Sequence, residues 1–249
     1  MDKEYPPLYF FGKGFNYSQD GPGNRLVYHL QGCNLHCPWC SNPEGLAAAR
    51  GSSVSVDRVL DEALSCRAMF FDGGGVTLTG GEVCVQADAA CLLLALLRKK
   101  GIHTCVETNA SLAQFPAISK HTDYLIADYK HPDGAVLKRA TGADIVRIQN
   151  NIEARVREAA QLHIRVTLVH GFNDSEEELN GFIAYFTSLT KLNRGCDITF
   201  ELLTYHEYGR DKWEKLSMPY TVRDGFVAGQ TAELFSRAFV KNRLKLIST

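Results

Sequence analysis

Two observations predict an α/β fold with a parallel sheet, a partial (β/α)6 barrel. β-rich runs alternate with helix-periodic segments along the whole chain. Polar and metal-binding residues gather where the strands should end. The β-rich runs fall at residues 25–31, 76–79, 103–108, 124–129, 164–170 and 198–203. They are almost continuously apolar, as strands covered by helices on both faces are. Between them, Val56, Val59, Leu60, Ala63 and Leu64 mark one helical stripe, and Leu179, Phe182, Ile183, Phe186 and Leu189 mark another. Ser175 followed by Glu178 is a capping-box pattern that starts the second of these helices. A last helix is expected over about residues 226–243. An open doubly wound sheet is the competing architecture, and periodicity does not separate the two. No Gly/Pro/Ser-rich linker or repeat interrupts the sequence, so a single domain over residues 1–249 is expected.

With 27 Lys and Arg against 28 Asp and Glu, the net charge is −1. A nucleic-acid binder needs a surplus of cations to neutralise phosphates, so that class is disfavoured. No apolar stretch approaches the ~20 residues that cross a bilayer. The first residues, Met1-Asp2-Lys3-Glu4, carry no apolar signal segment, which points to the cytoplasm. Eight cysteines in a reducing compartment suggest metal ligation or chemistry rather than disulfides.

In either architecture ligands bind at the carboxyl ends of the strands. Those ends carry Cys33, Cys37 and Cys40; Gly80, Gly81 and Glu82; Glu107, Thr108 and Asn109; Asp128 and Lys130; His170; and His206. The three thiols stand as C-x3-C-x2-C. Three ligands suit a [4Fe–4S] cluster with one iron left open, and a structural zinc with His36 or a remote Cys as fourth ligand is the alternative. The absence of a second C-x2-C pair favours the cluster. Cys66, Cys84, Cys91, Cys105 and Cys196 show no such pairing; Cys91 and Cys105 look like small buried hydrophobes, and Cys84 sits two residues after Glu82.

C-x3-C-x2-C with Trp39 before the last Cys resembles the radical S-adenosylmethionine (SAM) superfamily. Asp20-Gly21-Pro22-Gly23-Asn24-Arg25 before the loop and Ser41-Asn42-Pro43-Glu44 after it narrow the resemblance to the glycyl-radical-enzyme activating enzymes. It continues through Thr79-Gly80-Gly81-Glu82, Glu107-Thr108-Asn109, Asp128-Tyr129-Lys130, Gly171-Phe172-Asn173-Asp174 and Tyr205-His206-Glu207-Tyr208-Gly209, covering residues 8–215 in order. Only residues 41–79 separate Cys40 from Gly80, too few for a ferredoxin-like insert, so the chain resembles the short, single-cluster kind.

The resemblance implies the radical SAM partial barrel, with the cluster loop at residues 32–43. Cys33, Cys37 and Cys40 would hold one [4Fe–4S] cluster whose open iron takes the amino and carboxylate groups of SAM. The SAM-binding set would be Trp39 (against the adenine), Ser41, Gly80, Gly81, Glu82 (on the ammonium), Thr108, Asp128, Lys130 (on the carboxylate), Arg165 and His206. Glu107, Thr108 and Asp128 form a candidate monovalent-cation site. Asp20 would meet the target peptide. The implied activity is removal of a hydrogen atom from a glycine Cα of a partner glycyl radical enzyme. A flavodoxin- or ferredoxin-type protein would donate the electron, and the enzyme would be a monomer. A radical SAM enzyme acting on a small heterocycle is the alternative; a zinc-stabilised binding module is the reading from another class.

Two departures from the family pattern concern geometry. Glu107 stands where the family has Asp, and Asn109-Ala110 replaces Asn-Gly. Arg165, among apolar strand residues, needs a partner, and bound SAM is expected to supply one.

Overall fold

All six predicted strands form, each within two residues of its expected limits. In chain order the strands of the computed structural model are β1 Pro7–Tyr17, β2 Asn24–Leu30, β3 Ser52–Ser55, β4 Gly75–Gly80, β5 His103–Thr108, β6 Tyr124–Asp128, β7 Leu162–Leu168 and β8 Ile198–Thr204. The helices are α1 Val56–Ser65, α2 Ala87–Lys99, α3 Phe115–Ser119, α4 Gly134–Thr141, α5 Ile145–Arg157, α6 Glu176–Leu192, α7 Arg210–Lys215 and α8 Gly229–Lys241. The structure describes residues 5–47 and 51–248. Two compact units emerge: Met1–Asn34, Glu44–Thr108 and Leu112–Ile126 form the first, and Leu35–Pro43, Asn109–Ser111 and Ala127–Thr249 the second.

In the first unit the strand order is β3-β1-β2-β4-β5-β6. β2, β4 and β5 pair in parallel, with Val27 opposite Thr77 and Thr77 opposite Cys105. β1 and β3 are antiparallel additions that the apolar runs did not announce. β1 is half-exposed, carries Gly12, Lys13 and Gly14, and shifts register between Phe10 and Gly12, so neither a continuous apolar run nor clean alternation marks it. Val56, Val59 and Ala63 of α1 and Leu93, Leu94 and Leu97 of α2 are buried, the stripes their spacing requires.

In the second unit β7 and β8 follow one another. β7 and β8 are parallel, and their register sets Arg165 opposite Glu201. Phe182 and Phe186 of α6, Phe235 and Phe239 of α8 and Phe200 of β8 form an aromatic core. The capping box at Ser175 and Glu178 is present. α8 starts at Gly229, later than the expected 226, because Phe226 is held outside the helix against the Tyr205 ring at 5.1 Å. Within each unit the parallel strands follow chain order without reversal, as in barrel winding; a doubly wound sheet reverses at its switch point. Among the described residues, no helix is long and apolar enough to cross a membrane.

Candidate active site

In the first unit, the end of β4 is built for close approach. A Cβ at Gly81 would stand 2.2 Å from the Gly32 carbonyl oxygen and 2.7 Å from that of Gly45, so only glycine fits between these two segments. The backbone then runs back: Gly81 N–H donates to Leu30 O at 2.8 Å, and Glu82 N–H donates to Gly32 O at 2.7 Å. This fixes Glu82, which is only 1% exposed. Its Oε1 accepts from Cys84 N–H at 2.9 Å and from the Thr108 hydroxyl at 2.7 Å. Both are neutral donors that orient the carboxylate. Thr79 donates to Glu107 Oε2 at 2.8 Å in the same manner. The Cys84 thiol is pushed up by burial first and by Glu82 second, which keeps it protonated and unreactive.

Asp20 heads a turn with unusually firm support. Ser18 N–H donates to Gly23 O at 3.0 Å, and Asn16 Nδ2 donates to Asp20 Oδ2. Beneath it lies Arg25, wholly buried. Its Nη1 donates to Pro22 O at 2.9 Å and to Gly73 O at 3.3 Å, and its Nη2 to Val76 O at 2.9 Å. Its Nε donates to Thr77 Oγ1 at 2.6 Å, and Thr77 passes a hydrogen bond to Asp20 O at 2.8 Å. His103 Nδ1 lies 3.3 Å from Nη1; burial first, then Arg25, hold its pKa below the ordinary histidine value. Arg25 was not among the predicted site residues, although an arginine at the start of an apolar strand was a signal of the same kind as Arg165.

Of the three cysteines expected to hold a cluster, Cys33 belongs to the first unit and Cys37 and Cys40 to the second. None is in a disulfide, and all are half-exposed. Burial pushes the Cys37 thiol up to about 11, with Lys130 drawing it back, so a metal that binds there must displace a proton. Cys40 N–H donates to Cys37 O at 3.1 Å. Three soft thiols on one loop, none of them in a disulfide, are a donor set that suits an iron–sulfur cluster. Among the described residues no three His, Cys, Asp or Glu side chains converge on a single metal position, whereas a cubane takes one thiolate per iron corner.

Trp39 packs on Phe172 at 4.5 Å between ring centroids, and Phe172 packs on His131 at 4.8 Å. The Gly171-Phe172-Asn173-Asp174 segment thus supports the cluster loop. Asn173, fully buried, donates to Lys130 O at 2.8 Å and Thr167 O at 2.9 Å, and accepts from Val169 N–H at 2.8 Å.

The cations of the second unit are held differently. Lys130 Nζ is 2.9 Å from Asp128 Oδ2, a half-buried pair. Arg165 Nε donates to Glu201 Oε2 at 2.7 Å, and the same oxygen lies 3.4 Å from His163 Nε2. The partner expected from bound SAM is therefore already supplied by the neighbouring strand. Glu201, a carboxylate between Phe200 and Leu202, was the missed signal.

His206 is half-buried, and burial lowers its pKa. Its Nδ1 accepts from Tyr208 N–H at 3.3 Å, which leaves the proton on Nε2. Beyond it, Trp213 Nε1 donates to Cys40 O at 2.8 Å and Lys212 Nζ donates to Asn42 Oδ1 at 3.0 Å. Ser41 lies under Gly209.

A family model of the radical SAM superfamily matches residues 27–183. The pyruvate formate-lyase-activating enzyme of Staphylococcus aureus (strain USA300) is 34% identical over 215 residues, 82% of this chain and 84% of that one. Among solved structures, a domain of pyruvate-formate lyase-activating enzyme from Bacteroides vulgatus ATCC 8482 aligns with a TM-score of 0.55 at 23% identity, covering 70% of this chain and 98% of that one. SuiB of Streptococcus suis, bound to precursor peptide SuiA, aligns at 0.65 with 16% identity over 88% of this chain and 47% of its own. These two likenesses concern the fold. The sequence matches decide the family: the chain belongs to the radical SAM superfamily and, within it, to the family of pyruvate formate-lyase-activating enzymes.

Proposed function

We propose that the chain is a glycyl-radical-enzyme activating enzyme, an oxidoreductase that cleaves SAM reductively and takes a hydrogen atom from a glycine Cα of a partner enzyme. The observation that carries this reading is the likeness to pyruvate formate-lyase-activating enzymes along most of the chain. When bound, a [4Fe–4S] cluster would supply one-electron reduction of SAM, the chemistry needed for hydrogen-atom removal from a glycine Cα.

The residues divide the task of holding SAM. Cys33, Cys37 and Cys40 hold the cluster. Glu82, already oriented by Thr108 and Cys84 N–H, accepts from the methionine ammonium. Lys130, held by Asp128, would pair with the methionine carboxylate, and Arg165, its Nε held by Glu201, would add a donor. Gly80 and Gly81 let the backbone approach, and Ser41 and Trp39 line the cluster loop. His206, neutral with its proton on Nε2, donates to the bound methionine portion. Glu107, Thr108 and Asp128 are the ligands of a monovalent cation beside SAM. Asp20 receives the target peptide, whose glycine, lacking Cβ, can enter a confined site. A flavodoxin- or ferredoxin-type donor supplies the electron, and the enzyme works as a cytoplasmic monomer.

The test is anaerobic incubation of the reconstituted chain with SAM, a reductant and each candidate glycyl radical enzyme. A glycyl EPR doublet on one partner is the expected result. Cleavage of SAM with no doublet on any candidate of the organism would overturn activation in favour of a small-molecule substrate.

A further inference from the structure

We propose that Trp213 is a positioning residue for the third cluster ligand, holding Cys40 through its backbone carbonyl and so slowing loss of the cluster. The inference rests on the radical SAM reading and names residues that reading does not. α7 spans only six residues, Arg210–Lys215, too short to persist on its own propensity. Its place is set by what it buries. Trp213 is 7% exposed, packs edge-on against Tyr220 at 5.9 Å, and aims its only polar atom at Cys40 O at 2.8 Å. One residue earlier, Lys212 reaches Asn42 Oδ1 at 3.0 Å. Four residues before Trp213, a Cβ at Gly209 would stand 2.5 Å from Cys40 O and 2.8 Å from Ser41 Cα. Three consecutive features of residues 209–213 therefore press on residues 40–42 of the cluster loop.

The rest of the segment is tied down independently. The Tyr205 hydroxyl meets that of Tyr220 at 2.5 Å, and Arg210 bridges to Glu207 at 3.2 Å. Cys40 has no strand or helix of its own to fix it. A hydrogen bond to its carbonyl restricts the backbone from which the thiolate reaches iron. When an iron corner loosens, a held ligand rebinds before the chain moves away.

Trp213→Phe keeps an aromatic ring and removes the N–H together with part of the buried indole, so the melting temperature is measured alongside. Full-length wild type and variant are reconstituted anaerobically and challenged with a ferrous chelator, and decay of charge-transfer absorbance and protein-bound iron are followed. The variant should release iron about fivefold faster, the factor carried by one ordinary hydrogen bond, while the metal-free chains melt at the same temperature. Equal release rates would overturn the proposal and leave the family reading intact. If the metal-free Trp213→Phe chain melts early, Asn42→Ala decides. It cuts the Lys212 tie without disturbing the buried ring, and faster iron release supports the clamp where unchanged release overturns it. A wild-type chain that takes up no four-iron cluster would overturn the radical SAM reading and this proposal together.

Discussion

The two units hold their charged site groups in opposite ways. In the first, Glu82 and Glu107 accept from hydroxyls and a backbone N–H, which set the direction of their oxygens. In the second, Lys130 and Arg165 each sit against a carboxylate. A buried charge held by neutral dipoles is ready for a ligand of opposite sign. A charge already in an ion pair must share or exchange its partner, and the exchange reduces what binding yields. The contrast lies in the donors and acceptors seen at each group: hydroxyls and a backbone N–H at the carboxylates of the first unit, carboxylates at the cations of the second.

Breaking the stronger pair should have the largest effect. Glu201→Gln leaves Arg165 and His163 buried around an uncharged amide, and should lower stability by about 3 kcal/mol, the lower range for a broken buried pair. Calorimetric or denaturant unfolding of the metal-free chain measures it. An effect below ~1 kcal/mol would mean that Arg165 is well served without Glu201. The contrast is next sharpened from the other side. Glu82→Gln retains the shape and an acceptor but removes the charge, so SAM affinity of the reconstituted enzyme should fall by about 30- to 100-fold, the worth of ~2–3 kcal/mol for a charge-assisted hydrogen bond. Titration followed by the EPR signal of the reduced cluster reads this directly.

A pH effect of smaller size follows from His103. Its pKa is held below the ordinary value, first by burial and then by Arg25. The depressed value means that its neutral form is favoured in the folded chain. That contribution is complete above the unfolded pKa of about 6.5 and is lost as pH falls through the lower folded value. Melting temperature should therefore drop on acidification below about pH 6.5, and His103→Gln should flatten that part of the profile. The smallest change is a gain. Ala110 sits at φ 56° in the left-handed region, where the family's Asn-Gly pattern has glycine. Ala110→Gly should stabilise the chain by about 1 kcal/mol by relieving that conformation, visible as a modest rise in melting temperature.

The same contrast explains what could be read from sequence. The six parallel strands were legible because burial on both faces makes them nearly continuous apolar runs, as in β7 and β8. β1 and β3 were not, since a half-exposed antiparallel edge with two glycines has no such signature. The cysteines stood in a local motif that their spacing nominated, and Glu82 was reached through its place at a strand end and the family resemblance. Glu201, Arg25 and Trp213 did not, because the partners that explain them lie 36, 52 and 173 residues away in the chain. Arg165 was noticed for its missing partner, and the same question asked of Glu201 would have paired them across neighbouring strands.

The buried Arg25 has a kinetic consequence for encounter with a macromolecular substrate. Its donors lock the Asp20 turn before any partner arrives, so this side of the complex has little ordering entropy left to lose. Under the proposed function, the cost of association would then fall on the incoming glycine segment, which would have to leave its own fold. Encounter should be limited by how often that segment is released, and hardly at all by rearrangement of the turn that receives it.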